Sequence, residues 1–333
     1  MTDTRPDTPS LTDKVRPLKV DGTIVGVHFL KDTPVFVLGE SALLFAPSDN
    51  EKRIAIHAGA ILASASDGSR IVTGGDDGKV VVTSAGGATT VVATDSKKRW
   101  IDHVALGPDG ALAFSAGKTA TVINSKGETR TWAAPSTVAG LAFAPKGFRL
   151  AVAHYNGVSL WFPNSQAAPE KLEWKGSHLA VAFSPDGKFI VTAMQEPTLH
   201  GWRTSDGKHM RMSGYSARVR SYHWTYDGAF LATSGFEQLI LWPFDGKDGP
   251  MGKQPRILAP AQTRVAMVAC HPAAPVVATG YADGLVLLVR VDDGAEILAR
   301  RPGGAPVTAL GWHPKGSQLA FGAEDGEAGT IAL

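Results

Sequence analysis

The chain has a single cysteine, no long apolar run and a formal net charge of only +2. Cys270 cannot form an internal disulfide, and its apolar surroundings predict a buried, inert thiol. No apolar stretch approaches the roughly 18–20 residues that are needed to span a bilayer. The first residues, MTDTRPDTPSLTDK, contain no apolar core of a secretory signal. We therefore expect a soluble, cytoplasmic protein without a membrane partner.

The nearly balanced charge argues against nucleic acid as a general partner, because binding along a phosphate backbone needs a basic face. The signatures of nucleophile elbows, zinc hydrolases and phosphate loops are also missing. Gly74-Gly75 and the adjoining Asp76-Asp77 lie where a β-hairpin turn is expected, which accounts for both pairs without catalysis. The sequence thus predicts a protein that is not an enzyme and has no catalytic residues and no cofactor.

A short unit recurs along the chain: an apolar strand, a turn with glycine, a second apolar strand, a polar turn and a third strand. It is clearest in His178–Trp202, HLAVAFSPDGKFIVTAMQEPTLHGW. Two more degenerate copies occupy Ile24–Gly39 and Val265–Gly280, which makes eight copies in all. Each strand is too short to bury its apolar face alone, so the copies must stack. The turn glycines of the other six copies are Gly68, Gly110, Gly147, Gly187, Gly228 and Gly316.

Strand-forming residues dominate these units, and no amphipathic helix is evident. Four-stranded units with a period near 42 residues predict an all-β fold, a closed β-propeller. We expect a flexible tail over residues 1–12 and a single domain over residues 13–333. Eight blades are predicted, or seven if the first copy is not a blade. The last copy ends at its third strand, so the N-terminal segment Val15–Val20 should supply the missing fourth strand and protect the sheet edge.

The segments GSHLAVAFSPDGKFIVTA, RIVTGGDDGKVVVT, ATGYADGLVLLVR and FGAEDGEAGTIAL resemble the WD40-repeat family of β-propellers. The resemblance covers roughly residues 15–333. It implies that a turn aspartate, matched here by Asp77, Asp283 and Asp325, anchors a hydrogen-bond network inside its blade. Trp161 and Trp202 match the family's tryptophan at the end of the third strand, but the aspartate that should follow is replaced. The resemblance predicts the fold and says little about function.

In WD40 proteins, partners commonly dock on the rim formed by the loops that lead into the innermost strands. The resemblance therefore implies a non-catalytic scaffold or adaptor that binds other proteins, as a subunit of a larger complex. Basic residues mixed with aromatic ones are typical of interface hot spots, and an acidic protein segment or a phosphate-bearing ligand would complement them. The alternative is that these basic residues are only solvated and bind no partner. The predicted rim residues are Lys97, Arg99, Trp100, Asp102, His178, Arg218, Arg220 and Arg264.

Two other functions stay open. His28 and His223 both occupy the fifth position of an innermost strand, so two imidazoles would enter a central channel and could serve an enzyme, a cofactor binder or a metal binder. Zinc requires three or four ligands, and we predict no metal site. His271 and His313 recur at one turn position, which indicates a structural role. Binding of RNA or a phosphate ligand through the basic rim is the other alternative, and steep salt dependence would support it.

Overall fold

The protein is described by a computed structural model that covers residues 8–48 and 50–333. Over these residues the chain is all-β, with thirty strands and two short 3-10 helices, Thr12–Lys14 and Pro108–Gly110. The architecture is that of a β-propeller, as the repeat predicts. No helix in the described residues is long and apolar enough to cross a membrane.

The strands have the following bounds. Strands β1–β10 are Val15–Lys19, Ile24–Leu30, Thr33–Leu38, Ala42–Phe45, Lys52–Ala55, Ile61–Ser66, Arg70–Gly75, Lys79–Ser84, Thr89–Thr94 and His103–Leu106. Strands β11–β20 are Leu112–Ala116, Thr119–Ile123, Thr129–Ala133, Gly140–Phe143, Leu150–Trp161, Glu170–Phe183, Phe189–Met194, Leu199–Arg203, His209–Met212 and Tyr222–Trp224. Strands β21–β30 are Phe230–Thr233, Leu239–Pro243, Arg256–Leu258, Val265–Cys270, Val276–Tyr281, Val286–Arg290, Glu296–Arg300, Val307–Trp312, Gln318–Ala323 and Glu327–Ala332.

Within residues 8–48 and 50–333 these strands form seven antiparallel sheets, six with four strands and one with six. Eight separate sheets, the number that the repeat predicts, are not seen. The six-stranded sheet, β14 to β19, arises because β16 runs through two consecutive copies of the unit. Its first part, Glu170–Glu173, pairs with β15, and its second part, His178–Phe183, pairs with β17.

Burial follows the position of a strand within its sheet. Every residue of the second strands β11 and β17 is buried, whereas most residues of the outermost strands β5 and β13 are exposed. A strand that is covered on both faces needs a continuous apolar run, which is why segments such as FIVTAM do not alternate with polar residues. The core therefore lies between neighbouring sheets.

One compact unit consists of the described residues of Met1–Gly39, Leu43–Arg53 and Tyr215–Leu333. It contains the sheets β20–β23 and β24–β27, the sheet β1-β30-β29-β28, and strands β2 and β3. The N-terminal strand β1 pairs with β30 from Val15 opposite Ile331 to Lys19 opposite Glu327. The prediction that an N-terminal strand completes the last sheet is confirmed.

The segment before β1 is held more firmly than predicted. Residues 1–7 of the expected flexible tail lie outside the described residues. Beyond them, the amide of Leu11 donates to the carbonyl of Leu298, and the amide of Leu298 donates to the carbonyl of Pro9. Leu11 also packs against the apolar core around Phe321. An apolar side chain at position 11 thus binds residues 9–11 to the neighbouring sheet, where composition alone indicated a tail.

The second compact unit consists of Glu40–Ala42 and Ile54–Gly214. It contains the sheets β6–β9, β10–β13 and β14–β19. The first strands β6, β10 and β14 are neighbours in that order. Apolar clusters fill the space between adjacent sheets, with Ile101 and Val72 in one cluster, and Val152 and Trp161 in another.

Candidate interaction surface

Two kinds of loop come together at one end of each antiparallel sheet. Because successive strands reverse direction, the loop that enters the first strand lies at the same end as the turn between the second and third strands. Gly78 in the β7–β8 turn illustrates this arrangement, since its carbonyl accepts the amide of Asp95 at 2.8 Å and its α-carbon lies close to Lys98 of the loop before β10. We call this end of a sheet the entry end.

The loop before β10 is organised by Asp95. Its carboxylate accepts the backbone amides of Lys97 at 3.0 Å and Arg99 at 2.9 Å, and the Arg99 guanidinium at 2.6 Å. The hydrogen bond from the Arg99 side chain lowers the pKa of Asp95 to about 2, so the pair is charged at neutral pH. Arg99 was predicted as a partner-binding residue, but its guanidinium holds its own loop in place.

Three side chains of the same loop, those of Lys97, Lys98 and Trp100, are exposed to solvent. Lys97 and Lys98 are exposed, and neither ammonium group has an ion-pair or hydrogen-bond partner among the described residues. Trp100 is 61% exposed, the highest value for a large hydrophobic side chain in this part of the chain. Asp102 is half-buried beside them. The predicted residues at positions 97, 100 and 102 therefore do lie together.

A second exposed aromatic side chain lies beside the loop that enters β14. Tyr155, in the middle of β15, is 58% exposed, and its backbone amide donates to the hydroxyl of Ser136 in that loop at 2.9 Å. Two hydrogen bonds connect the two places. The Arg99 guanidinium donates to the hydroxyl of Thr119 at the start of β12, and the carbonyl of Gly117 in the β11–β12 turn accepts the amide of Val138 before β14. We call the exposed residues Lys97, Lys98, Trp100 and Tyr155 the Trp100 surface.

His178 does not belong to an exposed surface, contrary to the prediction. It is fully buried, with Nδ1 2.8 Å from the Thr192 hydroxyl and Nε2 3.0 Å from the Trp174 carbonyl. Burial lowers the pKa of its imidazole, so the neutral ring is favoured. Its position just before the apolar run of the strand suggested a loop, but β16 is continuous there and turns the ring into the sheet interior.

The three remaining predicted arginines belong to the other unit, at the entry ends of the sheets β20–β23 and β24–β27. Arg220 and Arg264 are exposed, and Arg218 is half-buried. The amide of Arg220 donates to the Ser234 hydroxyl, and the carbonyl of Arg264 accepts the amide of Ala282. The amide of Gly235 donates to the carbonyl of Val265 at 3.1 Å, which links the two loops.

His28 and His223 lie on the innermost strands β2 and β20, as predicted. Burial lowers the pKa of His28 to about 4 and also lowers that of His223. The backbone amide of Cys270 donates to His223 Nδ1 at 3.3 Å. Cys270 itself is buried, as expected, and desolvation raises the pKa of its thiol. The described residues contain no group of three or more histidine, cysteine or acidic side chains that could hold a metal ion.

The buried network that the resemblance implies is complete at Asp77. His57 Nδ1 lies 2.9 Å from the Asp77 carboxylate, and His57 Nε2 lies 2.9 Å from the Thr73 hydroxyl. Burial opposes the negative charge of Asp77, but hydrogen bonds from His57 and from the Ala58 and Lys79 amides lower its pKa overall. The carboxylates of Asp283 and Asp325 instead accept the amide two residues further on.

The sequence reading missed the equivalent network around Tyr215. Tyr215 is buried, with its hydroxyl 2.9 Å from that of Thr233 and accepting the Trp242 indole N–H at 2.7 Å. A signal was available in the sequence: a threonine recurs at the fourth position of the second strands RIVTGG, FIVTAM and FLAT. A polar residue that recurs inside an apolar run indicates a buried partner.

No family model and no curated protein sequence matches the chain. The chain is similar to the crystal structure of the computationally designed Ika8 protein, with a TM-score of 0.77 and 19% sequence identity. The match covers 95% of this chain and 98% of that chain. At this identity the likeness shows the fold alone.

Proposed function

We propose that the protein is a non-catalytic interaction scaffold of the WD40-repeat kind, which binds an acidic protein segment through the Trp100 surface. The observation that carries the proposal is the 61% exposure of Trp100 beside Lys97 and Lys98. An indole that is left in water has a large apolar area to bury on binding. Tryptophan and tyrosine dominate the energetics of interface hot spots, and Tyr155 adds a second such side chain.

The charge of the surface favours an acidic partner. The ammonium groups of Lys97 and Lys98 are not neutralised by any described residue, whereas the nearby Arg99 is already paired with Asp95. Opposite charge on a partner would steer its approach, and burial of Trp100 would supply affinity. The loop itself is held by five hydrogen bonds to the Asp95 carboxylate, so little conformational entropy is lost when the partner binds.

Kinship with WD40 repeats is part of the proposal. It is supported by the network of Asp77, His57 and Thr73, in which a turn aspartate is tied to a strand hydroxyl through an imidazole. The substitution of tyrosine for histidine at Tyr215, with Thr233 and Trp242 as partners, is consistent with a divergent copy of the same network.

We also propose eight blades, because β15 contains two segments that can serve as consecutive strands of one blade. Its twelve residues are buried at both ends and exposed only at Tyr155 and Asn156 in the middle. Asn156 and Gly157 have φ values of +68° and +141°, which is turn geometry. Two strands within β15 and two within β16 would divide the six-stranded sheet into two blades of four. A crystal structure without the turn geometry at Asn156 and Gly157 would give seven blades.

A capture experiment tests the scaffold function. The wild-type chain, the variant Lys97→Glu/Lys98→Glu/Trp100→Ala and the control Lys126→Glu/Lys146→Glu are used as baits in a lysate of the source cell. The control reverses two exposed lysines of the same unit that lie in turns at the opposite end of their sheets. We expect an acidic protein on the wild type and on the control, and its loss from the triple variant.

Direct binding then identifies the chemistry. A synthetic peptide from the acidic segment of the recovered protein should bind the wild type and the control with equal affinity, and the triple variant at least tenfold more weakly. Equal recovery on all three baits would refute the Trp100 surface as the binding site. Recovery that disappears after ribonuclease treatment would favour RNA binding through the basic loops instead.

A further inference from the structure

A cavity of about 600 Å³ lies in the unit that contains the chain termini, between β27 and the sheet completed by β1. This volume is within the range of ligand pockets, roughly 300–1,000 Å³. It is bounded by residues that are far apart in sequence, including Leu18 and Lys19 of β1, Arg300 and Arg301 at the end of β27, and Phe321 of β29. It is separate from every residue of the Trp100 surface.

The accessible apolar lining of the cavity comes from β1, in which Val15 is half-buried and Pro17 is exposed. The other apolar lining residues, Leu18, Ala299, Phe321 and Ala328, are 7%, 0%, 2% and 5% exposed. The apolar side chains of β1 offer favourable burial to an alkyl or aryl group.

The mouth of the cavity carries Lys19, Arg300, Arg301 and Glu327, and the carboxylate of Asp325 lies 3.8 Å from the Lys19 ammonium group. Arg300 already has partners in the fold. Its guanidinium donates to Glu327 at 2.6 Å and to the Gly284 carbonyl at 2.9 Å, and it lies over the ring of Phe321. Lys19 donates to the carbonyl of Asp325 at 3.0 Å. Arg301 is exposed and has no partner among the described residues.

We propose that this cavity binds a small amphipathic monoanion, an alkyl or aryl carboxylate. Its apolar part would lie against Val15 and Pro17, and its carboxylate would pair with Arg301. A single negative charge fits, because Arg301 is the one cation at the mouth without a partner in the described chain. A guanidinium can donate two parallel N–H bonds to the two oxygens of a carboxylate, which gives orientation as well as affinity. A cationic or neutral amphipath would leave Arg301 unpaired.

Calorimetric titration of the full chain tests the proposal, with decanoate below its micellar concentration as the probe. Decanol and decyltrimethylammonium, with the same chain length, are the comparison ligands. We expect one decanoate per chain, and binding of both comparison ligands at least tenfold weaker. Arg301→Glu should weaken decanoate binding at least tenfold. Arg130→Glu, which changes another exposed arginine, on the outermost strand β13, is the control and should leave binding unchanged.

A filled cavity should also abolish binding. Ala328→Phe places a ring at the lining of the cavity, and loss of binding by a variant with a cooperative unfolding transition supports the site. Methyl NMR of the wild type covers the case in which this variant does not fold. Decanoate should shift the methyl signals of Val15 and Leu18. No binding by the wild type, full binding by Arg301→Glu, or shifts confined to other methyl groups would overturn the proposal.

Discussion

The imidazole of His200 stacks on the indole of Trp174, with ring centroids 4.1 Å apart and planes inclined by 15°. His200 is fully buried, and neither of its ring nitrogens has a hydrogen-bond partner in the described residues. His209 belongs to the same cluster of aromatic rings, and its ring centroid lies 5.3 Å from that of His200. Desolvation, followed by the positive charges of neighbouring groups such as His209, lowers the pKa of His200 to about 3. His200 is therefore neutral in the folded protein at neutral pH.

Stability should fall on acidification because of this ring. The unfolded chain binds a proton at His200 near pH 6.5, whereas the folded chain does so only near pH 3. Between these values the unfolded state holds more protons, so the contribution of His200 to stability is present above pH 6.5 and is lost as the pH falls. His200→Phe keeps a flat ring for the stack and cannot be protonated. We expect a smaller drop in Tm between pH 7 and pH 4.5 than in the wild type.

The same variant should be at least as stable as the wild type at pH 7. A buried polar group without a partner costs about 1–3 kcal/mol, and phenylalanine removes that cost. Part of the acid sensitivity should persist, because His28 is also neutral in the fold, with its pKa lowered to about 4. Thermal unfolding curves at both pH values measure the difference. An unchanged pH dependence in His200→Phe would show that His200 does not contribute.

Asp77→Asn should destabilise the protein by roughly 1–3 kcal/mol, because the amide replaces the charged acceptor of three hydrogen bonds from His57, Ala58 and Lys79. Asp283→Asn is the matched control, since the carboxylate of Asp283 accepts the single amide of Leu285. Urea unfolding at pH 7 compares the two variants. Equal losses would contradict the view that the complete network at Asp77 is worth more than a turn hydrogen bond.

Removal of residues 1–22 should lower Tm and promote aggregation. The deletion leaves the β30 edge unpaired along five residues and opens the core where Leu18 is buried. Differential scanning calorimetry and light scattering measure the two effects. Pro17→Ala is the control: Pro17 is exposed, so this change should alter stability by less than about 1 kcal/mol. A truncated chain that unfolds at the wild-type temperature would show that β1 is dispensable.

Trp100→Ala should leave the free energy of unfolding within about 0.5 kcal/mol of the wild-type value. The indole is 61% exposed and contributes little to the core, and surface changes of this kind are usually neutral. Chemical denaturation checks the expectation, with Trp202→Ala, at a site that is 2% exposed, as a strongly destabilising comparison. A large loss in Trp100→Ala would mean that the side chain serves the fold and not a partner.

The sequence by itself determined the all-β repeat and the use of the N-terminal strand. Continuous apolar runs such as Phe189–Met194, punctuated by turn glycines, can be buried only between stacked sheets. A last copy with three strands and a spare strand before the first copy have one economical solution, which is the pairing of β1 with β30. These features depend on local composition and on spacing along the chain, and both can be read directly.

Only the tertiary structure decided which polar and aromatic side chains reach solvent. His178 reads as a rim residue but is buried, because the neighbouring second strand offers the hydroxyl of Thr192 as a partner. Tyr215 is buried in the same way beside the hydroxyl of Thr233. Arg99 reads as a binding residue but is paired within its loop. The continuity of β16 and the cavity beneath Arg301 depend on segments that are distant in sequence. Such contacts arise from packing in three dimensions, which spacing along one chain does not encode.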